Sequence, residues 1–282
     1  MSSYYISIVS AVGINVILAV SLNMITGLCG QISLGQAAFF GCGAYAAALV
    51  MVATANVPLA LFAGVISGSL LGVAVGFASL RVRRGFLAVT TMGVNFLFVG
   101  FVRKQEWLGG EMGISGVPST GLGAFGNMMM ILTFAFATVL FSLYVSNSWM
   151  GFAFRAVGED EQAATTIGIG PGAYKLAAFG IGTALAGLAG ALYAFFTQFI
   201  TIDSFDFTLS VMLLAMVVIG GIGSTWGVVA AASGLTLLPE AIRFVNDYRL
   251  LLFGSVLILV IMVAPGGLAE LMRDLVAWRK PK

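Results

Sequence analysis

The chain has 282 residues, of which 60% are hydrophobic and only 9% are charged, and its formal net charge is +2. Soluble domains usually carry about 25% charged residues, and a water-soluble fold of this composition would leave too much apolar surface exposed. Lipid solvates apolar faces directly, so the composition predicts an integral membrane protein. The charged residues form no basic patch with interleaved aromatic side chains, which gives no support for nucleic-acid binding.

Long apolar runs without charges recur along the chain. No Asp, Glu, Lys or Arg precedes Arg81, and a helix that spans the bilayer needs about 20 mostly apolar residues. We therefore predict an all-α fold, a polytopic transmembrane helical bundle that forms a single domain over residues 1–282. Eight to ten spans are expected, some of them broken or re-entrant, and we assign them to residues 5–26, 35–54, 58–80, 86–103, 127–147, 174–199, 207–222, 225–238 and 249–265. The short segments 207–222 and 225–238 are expected to form a broken pair or a re-entrant hairpin.

The positions of Lys and Arg predict the orientation, because cytoplasmic loops are enriched in these residues. If the loop at 148–172 is cytoplasmic, more basic residues lie inside than outside, and the opposite orientation inverts that ratio. The inside set is Arg81, Arg83, Arg84, Arg155, Lys175, Arg273, Arg279, Lys280 and Lys282, and the outside set is Arg103, Lys104, Arg243 and Arg249. We therefore expect a multi-pass protein with a cytoplasmic C-terminus and an external loop at 104–126.

Four glycines in the third predicted span recur at every fourth position, and such residues lie on nearly one face of a helix. Small residues on one face let a neighbouring helix approach closely, so we predict that this face packs against another helix. A role in lining a pore is the alternative. The four residues are Gly64, Gly68, Gly72 and Gly76.

Glycines and polar side chains interrupt the apolar sequence at residues 27–36, and a second glycine-rich break lies at 220–227. One interpretation of the first break is a cytoplasmic turn between two spans. The other is a discontinuous helix whose backbone and polar groups face a solute path, because irregular backbone at membrane depth must line a cavity or be buried in protein.

The predicted spans carry no Asp, Glu, Lys or Arg away from their ends, and the chain has no His. Ionisable residues inside the membrane usually mark proton relays and ion paths, so we predict a neutral or zwitterionic solute that contacts a few hydroxyl and amide groups. The candidate contacts are Asn23, Gln31, Ser33, Gln36, Thr90, Thr91 and Asn95.

The loop at 148–172 contains an acidic cluster that is followed by small residues. Residues 159–161 suit the first turn of a short helix, where the helix dipole favours negative charge, and Gly168 suits its end. Ala163, Ala164 and Ile167 are then predicted to share one small apolar face. A solvated interfacial helix is one interpretation of this segment, and a docking site for a cytoplasmic protein is the other.

Catalytic motifs are missing from the sequence. It contains no phosphate-binding loop of the G-x-x-x-x-G-K-[ST] type, and the zero histidine count excludes both an H-E-x-x-H metal site and a Ser/His protease. Paired aspartates within the spans, which an intramembrane aspartyl protease needs, are also absent. We therefore predict a chain that is not an enzyme and binds no metal.

Six motifs in order resemble those of the permease subunits of branched-chain amino acid ABC importers, specifically the LivM-like branch. They are similar to that family's N-terminal signature, central motif, external glycine-rich loop, coupling loop and two C-terminal motifs. In this chain they occupy residues 30–45, 84–91, 109–118, 159–169, 220–224 and 265–268. The resemblance therefore extends over nearly the whole chain.

This resemblance implies a membrane-spanning permease of an ATP-driven importer for branched-chain or other small neutral amino acids in the cell inner membrane. It implies a different, LivH-like second permease, two cytoplasmic ATPase subunits that hold ATP and Mg, an extracytoplasmic solute-binding protein and membrane lipid as partners. No cofactor is expected on this chain itself. The residues implied to couple ATP hydrolysis to transport are Glu159, Asp160, Glu161, Gln162, Ala163, Ala164, Ile167, Gly168 and Ile169.

The chain departs from the family pattern at two places. The family often has His where this chain has Gln36, and it often has an acidic residue near Asn95 or Phe96. Both positions are therefore candidates for substrate specificity, and urea, amides and small aromatic acids stay open as alternative solutes. A sodium-coupled secondary transporter or channel is an alternative of another class, since backbone carbonyls can coordinate sodium.

Overall fold

The computed structural model describes residues 3–82, 84–241, 254–255, 258, 262 and 266–270. Its α-helices within these ranges are α1 Ser3–Asn23, α2 Gln36–Thr54, α3 Val57–Ser79, α4 Arg84–Lys104, α5 Gly123–Asn147, α6 Trp149–Glu159, α7 Glu161–Thr166, α8 Pro171–Thr197, α9 Phe207–Gly220 and α10 Thr225–Ala241. A π-helical turn, Met24–Leu28, follows α1, and short 3-10 helices occupy Glu106–Leu108 and Ile202–Phe205. Strands β1 (Ile114–Ser115) and β2 (Phe199–Ile200) pair antiparallel.

Seven helical segments in the described ranges are long and apolar enough to cross a membrane. They are Tyr4–Leu28, Gln36–Thr54, Val57–Ser79, Gly85–Lys104, Gly123–Asn147, Pro171–Thr197 and Ile202–Gly220, and Thr225–Leu238 is a shorter apolar helix. The predicted class, an all-α polytopic helical bundle, is confirmed. The span predicted at 249–265 lies outside the described residues except for 254–255, 258 and 262.

Local sequence signals explain where the helices begin and end. Ala55 caps the C-terminal end of α2. Its φ of 50° lies in the left-handed region, and its N–H donates to the carbonyl of Met51. The side chain of Asn56 then accepts the N–H of Leu59 and caps α3. Pro58 stands in the first turn of α3, where a missing N–H costs nothing. This two-residue connection makes α2 and α3 antiparallel neighbours.

The segments predicted at 207–222 and 225–238 form α9 and α10, which are joined by a turn at 221–224. Gly221 has a φ of 101°, and its N–H donates to the carbonyls of Val217 and Val218 at the end of α9. A Cβ on Gly220 would lie 2.5 Å from the Cα of Val228, so the two helices approach backbone to backbone beside the turn. The pair is a helical hairpin.

The centre of the bundle is formed by α2, α3 and α8, which meet through glycine. Gly64, Gly68, Gly72 and Gly76 all face α8, and Cβ atoms built on them would press against the segment 179–191. A Cβ on Gly187 of α8 would in turn overlap the carbonyl oxygen of Gly64. Small residues thus let three backbones lie in direct contact, as the four-residue spacing indicates.

Contacts between loops define the two ends of the bundle. At one end, Ile114 of β1 pairs with Ile200 of β2, and Arg103 forms an ion pair of 3.0 Å with Asp203. The loop at 104–126 therefore lies beside the end of α8. At the opposite end, the last turn of α6 lies near the non-helical segment after α1, since a Cβ on Gly30 would be 3.0 Å from the Cα of Gly158.

Candidate functional site

The chain between α1 and α2 is a buried, non-helical segment at residues 29–35, which we call the broken segment. The polar side chains of Gln31 and Ser33 are buried, as is Gln36 at the start of α2. Ile32 is the exposed exception among the large side chains of the segment. A turn in water would expose these polar groups, so the burial favours the discontinuous helix over the cytoplasmic turn.

Contacts with α1 and α8 place the start of α2 deep within the bundle. The side-chain amide of Gln36 donates to the hydroxyl of Ser21 over 2.6 Å. The carbonyl of Ser21 lies beside Gly182, since a Cβ there would be 2.9 Å from that oxygen. Gly182 lies about eleven residues, or about 16 Å, into α8. α2 therefore begins near the middle of the bundle, where non-helical backbone needs protein partners.

Side chains from neighbouring helices supply several of those partners. The hydroxyl of Thr91 on α4 accepts the N–H of Leu34 over 2.9 Å, and Ser210 on α9 accepts the N–H of Ala37 over 2.9 Å. Ser33 accepts the N–H of Gly35 within the segment. The hydroxyls of Ser33 and Thr91 are therefore engaged in holding backbone.

Other buried polar atoms have no hydrogen-bond partner within the described part of the chain. Buried polar groups are paired in the great majority of cases, and each unpaired one costs about 1–3 kcal/mol. A cluster of such groups in a transmembrane bundle can therefore bind the polar parts of a solute. The atoms are Asn23 Nδ2, Gln31 Oε1, Gln36 Oε1, Tyr45 Oη, and both Nδ2 and Oδ1 of Asn95. A further unpaired atom, Ser10 Oγ, lies nearer the start of α1.

Asn95 and Tyr45 belong to the contact between α2 and α4. Asn95 lies on the face of α4 that also carries Thr91 and Phe98, because residues three and four apart are neighbours on a helix. Thr91 contacts Leu34, and the ring of Phe98 lies 6.3 Å from the ring of Tyr45. We call this contact the α2–α4 seam, and it combines unpaired polar atoms with aromatic rings.

Six of the seven predicted solute contacts lie around the broken segment and on the face of α4 that points to α2, whereas Thr90 does not. Asn23, Gln31, Ser33 and Gln36 lie in or beside the broken segment, and Thr91 and Asn95 face α2 from α4. Thr90 is half-buried, and its hydroxyl donates to the carbonyl of Phe86 in its own helix. Sequence reasoning missed Tyr45, because a single tyrosine in an apolar span carries no signal before its burial is known.

Glycine-rich breaks that are distant in sequence meet beside the broken segment. The side-chain oxygen of Asn23 accepts the N–H of Gly223 over 2.9 Å, and a Cβ on Gly223 would lie 3.2 Å from the carbonyl oxygen of Gly27. Gly267, with a φ of 73°, approaches Gly221 so closely that a Cβ on it would be 2.6 Å from the Cα of Gly221. Only glycine fits such contacts. This explains the glycines in the motifs at residues 27–36, 220–227 and 265–268.

The second candidate element is the connection at 148–172, which we call the elbow. Asp160 caps α7, and its carboxylate accepts the N–H groups of Gln162 and Ala163 over 2.7 and 3.2 Å. Glu161 forms an ion pair of 2.6 Å with the largely buried Lys175 of α8. The acidic residues thus stand at the start of a short helix, and one of them ties that helix to a long span.

The prediction that Ala163, Ala164 and Ile167 share one apolar face is wrong, because Ala164 is buried whereas Ala163 and Ile167 are exposed. Ala164 is only 1% exposed and packs against the chain's own cluster, which includes Leu28 and Phe154. Ile167 is 70% exposed. The two differ because α7 has only six residues, and Ile167 lies just beyond its end. The exposed residues among the predicted coupling residues and those between them are Glu159, Asp160, Gln162, Ala163, Thr165, Thr166, Ile167 and Gly168.

These features define a polytopic helical membrane protein with a buried polar seam, and the chain's relatives identify its family. Residues 4–261 match the family described as the branched-chain amino acid transport system / permease component, and the chain belongs to this family. The family resemblance and the transport-permease class predicted from the sequence are confirmed.

Individual relatives are similar over most of the chain. The high-affinity branched-chain amino acid transport system permease protein LivM of Salmonella typhimurium is 32% identical over 92% of this chain and 68% of the relative. LivH of the same named system and organism is 26% identical over 89% of the chain and 90% of the relative. The autoinducer 2 import system permease protein LsrC of Yersinia pseudotuberculosis is 28% identical over 85% of the chain and 66% of the relative. No solved structure matches the chain significantly.

Proposed function

We propose that this chain is the LivM-like permease subunit of an ATP-driven importer that moves branched-chain or other small neutral amino acids across the inner membrane. The observation that carries the proposal is its membership of the branched-chain amino acid permease family over residues 4–261. Similarity to LivM over 92% of the chain supports the same function.

The chemistry of the α2–α4 seam supports an amino acid as the solute. A branched-chain amino acid has a zwitterionic end and an apolar side chain. The unpaired amide of Asn95 and hydroxyl of Tyr45 suit the polar end, and the rings of Phe98 and Phe205 around Tyr45 suit the apolar end. Urea and simple amides would leave the aromatic part of this surface unused.

The charge distribution supports an external source of energy. Among the residues whose burial the structure describes, Lys175 is the one buried charged side chain, and it is paired with Glu161. Proton-coupled transport usually depends on an ionisable group within the membrane. We therefore assign ATP and Mg to two separate cytoplasmic ATPase subunits that contact the elbow, and we propose with them that the elbow and the C-terminus are cytoplasmic.

The remaining partners follow from the relatives. LivM and LivH are named as permease proteins of one high-affinity transport system, which supports a LivH-like second permease for this chain. An extracytoplasmic binding protein would deliver the solute at the end of the bundle that carries the loop at 104–126. The structured contacts of that loop, such as the pairing of Ile114 with Ile200, provide a fixed surface there.

Reconstitution tests the proposed function. The chain is incorporated into proteoliposomes with its sister permease and ATPases, and the binding protein and radiolabelled leucine are added outside. We expect uptake that needs internal ATP and the binding protein and that is insensitive to a sodium ionophore. Uptake by this chain alone, driven by a sodium gradient, would instead establish the secondary transporter.

Substitutions on the elbow test its contact with the ATPases. Ile167→Glu changes a side chain that is 70% exposed, so we expect ATP hydrolysis without leucine uptake in a complex of normal stability. Ala164→Glu buries a charge in the chain's own cluster, and we expect it to prevent folding. The measurements are uptake, ATPase rate and thermal stability in detergent, and normal uptake by Ile167→Glu would count against docking at this surface.

A further inference from the structure

Helix α6 has two different faces. Gly151, Ala153, Phe154 and Val157 are buried against the chain's own core. On the opposite side Trp149 is 75% exposed and Phe152 is 57% exposed. The buried face accounts for the position of α6, whereas the described residues leave the aromatic face largely uncovered.

The exposed face continues the outer surface of a membrane span. Phe136, Leu140 and Tyr144 are exposed at four-residue spacing along α5 and form a stripe on one side of that helix. α6 starts after a single residue, Ser148, whose backbone is extended. Trp149 and Phe152 therefore begin where the apolar outer surface of α5 ends, at the level expected for the boundary between acyl chains and headgroups.

Backbone contacts hold α6 against the end of α5. A Cβ on Gly151 would lie 2.6 Å from the carbonyl oxygen of Ser146, so the two helices touch directly. α6 also contacts α8 and the π-helical turn at Met24–Leu28. It thus lies across the ends of several spans at the surface of the bundle.

A positive charge borders the aromatic face. The guanidinium of Arg155 lies 5.5 Å from the centre of the Phe152 ring and donates to the carbonyl of Ser146. Amphipathic helices that lie in the membrane surface combine aromatic side chains on the apolar side with Lys or Arg at the rim. A cation at this depth meets the negative phosphates of anionic headgroups.

We propose that α6 lies in the headgroup layer of the membrane, with Trp149 and Phe152 among the outer parts of the acyl chains and Arg155 at anionic lipid phosphates. The exposed aromatic face of α6 is thus a lipid-binding surface. Lipid would hold one end of the elbow, while Gly158 at the other end of α6 contacts Gly30 in the broken segment. The inference depends on the membrane-spanning bundle and not on the identity of the solute.

Tryptophan quenching in lipid tests this inference. The full chain and Trp149→Phe are reconstituted in vesicles of phosphatidylcholine and phosphatidylglycerol, and their difference in fluorescence reports Trp149. Nitroxide lipids labelled near the headgroup are expected to quench this signal at least about three-fold more than aqueous iodide does. Labels at the ends of the acyl chains should quench less than the shallow labels.

Trp107 provides the matched control, because it has similar exposure but lies in the loop at 104–126 at the other end of the bundle. The difference between the full chain and Trp107→Phe should respond mainly to iodide. Phe152→Trp in a Trp149→Phe background moves the probe along the same face and should repeat the lipid quenching. Quenching of Trp149 mainly by iodide would overturn the inference, as would protection from both quenchers, which would show that protein covers the face.

Discussion

Replacing Gly187 by leucine is expected to prevent the bundle from assembling. A Cβ at this position would overlap the carbonyl oxygen of Gly64 and lie 3.2 Å from the Cα of Gly68. Overpacking a core usually costs about 1–3 kcal/mol when side chains can shift. Here the obstacle is the backbone of α3, which cannot shift as a side chain can. We therefore expect the free energy of unfolding to fall by more than about 3 kcal/mol, a large part of the 5–15 kcal/mol of a typical protein.

Gly100→Leu is the matched control. Gly100 lies in α4, another apolar helix, and a Cβ on it would meet no neighbouring atom of the described residues within 4 Å. Both substitutions raise helix propensity equally, so any difference reports the helix contact. The measurement is the yield of monodisperse protein after size exclusion in mild detergent. Normal yield and thermal stability of Gly187→Leu would show that α3 and α8 are not in direct backbone contact.

The glycine contact shows how far sequence periodicity leads. The spacing of Gly64, Gly68, Gly72 and Gly76 predicts a face that packs closely, and the structure places that face against α8. Periodicity identifies a face but not its partner, because the choice of neighbour depends on the arrangement of all the spans. The positions of the spans themselves follow from length and hydropathy, since the bilayer imposes both.

The broken segment and α7 show where sequence reasoning stops. From sequence, residues 27–36 fit either a turn or a discontinuous helix, and the contacts of Gln36 with Ser21 and of Ser21 with Gly182 reveal the depth. On α7, six residues are too few for an apolar pattern to define which side faces the core. Ala164 therefore proved buried and Ile167 exposed, although both are apolar and one helical turn apart.

Replacing Asn95 by leucine is expected to separate stability from transport. Both polar atoms of the Asn95 side chain are buried and have no hydrogen-bond partner among the residues that the structure describes. An unpaired buried group costs about 1–3 kcal/mol. Leucine has the same branched arrangement of side-chain heavy atoms and no polar atoms, so the bundle should be at least as stable as the native one. If the amide binds the polar end of the solute in the α2–α4 seam, leucine uptake should fall at least about ten-fold, which corresponds to one lost hydrogen bond to a charged group.

Asn15→Leu is the control, because the amide of Asn15 donates to the hydroxyl of Thr236 over 3.0 Å and so links α1 to α10. Its loss should lower stability while the affinity of the surviving complex for leucine stays normal. Both variants are compared by thermal unfolding in detergent and by the concentration dependence of uptake in proteoliposomes. If Asn95→Leu lost stability and kept normal uptake, the unpaired amide would have a structural role, and the solute would have to cross the bundle elsewhere than between α2 and α4.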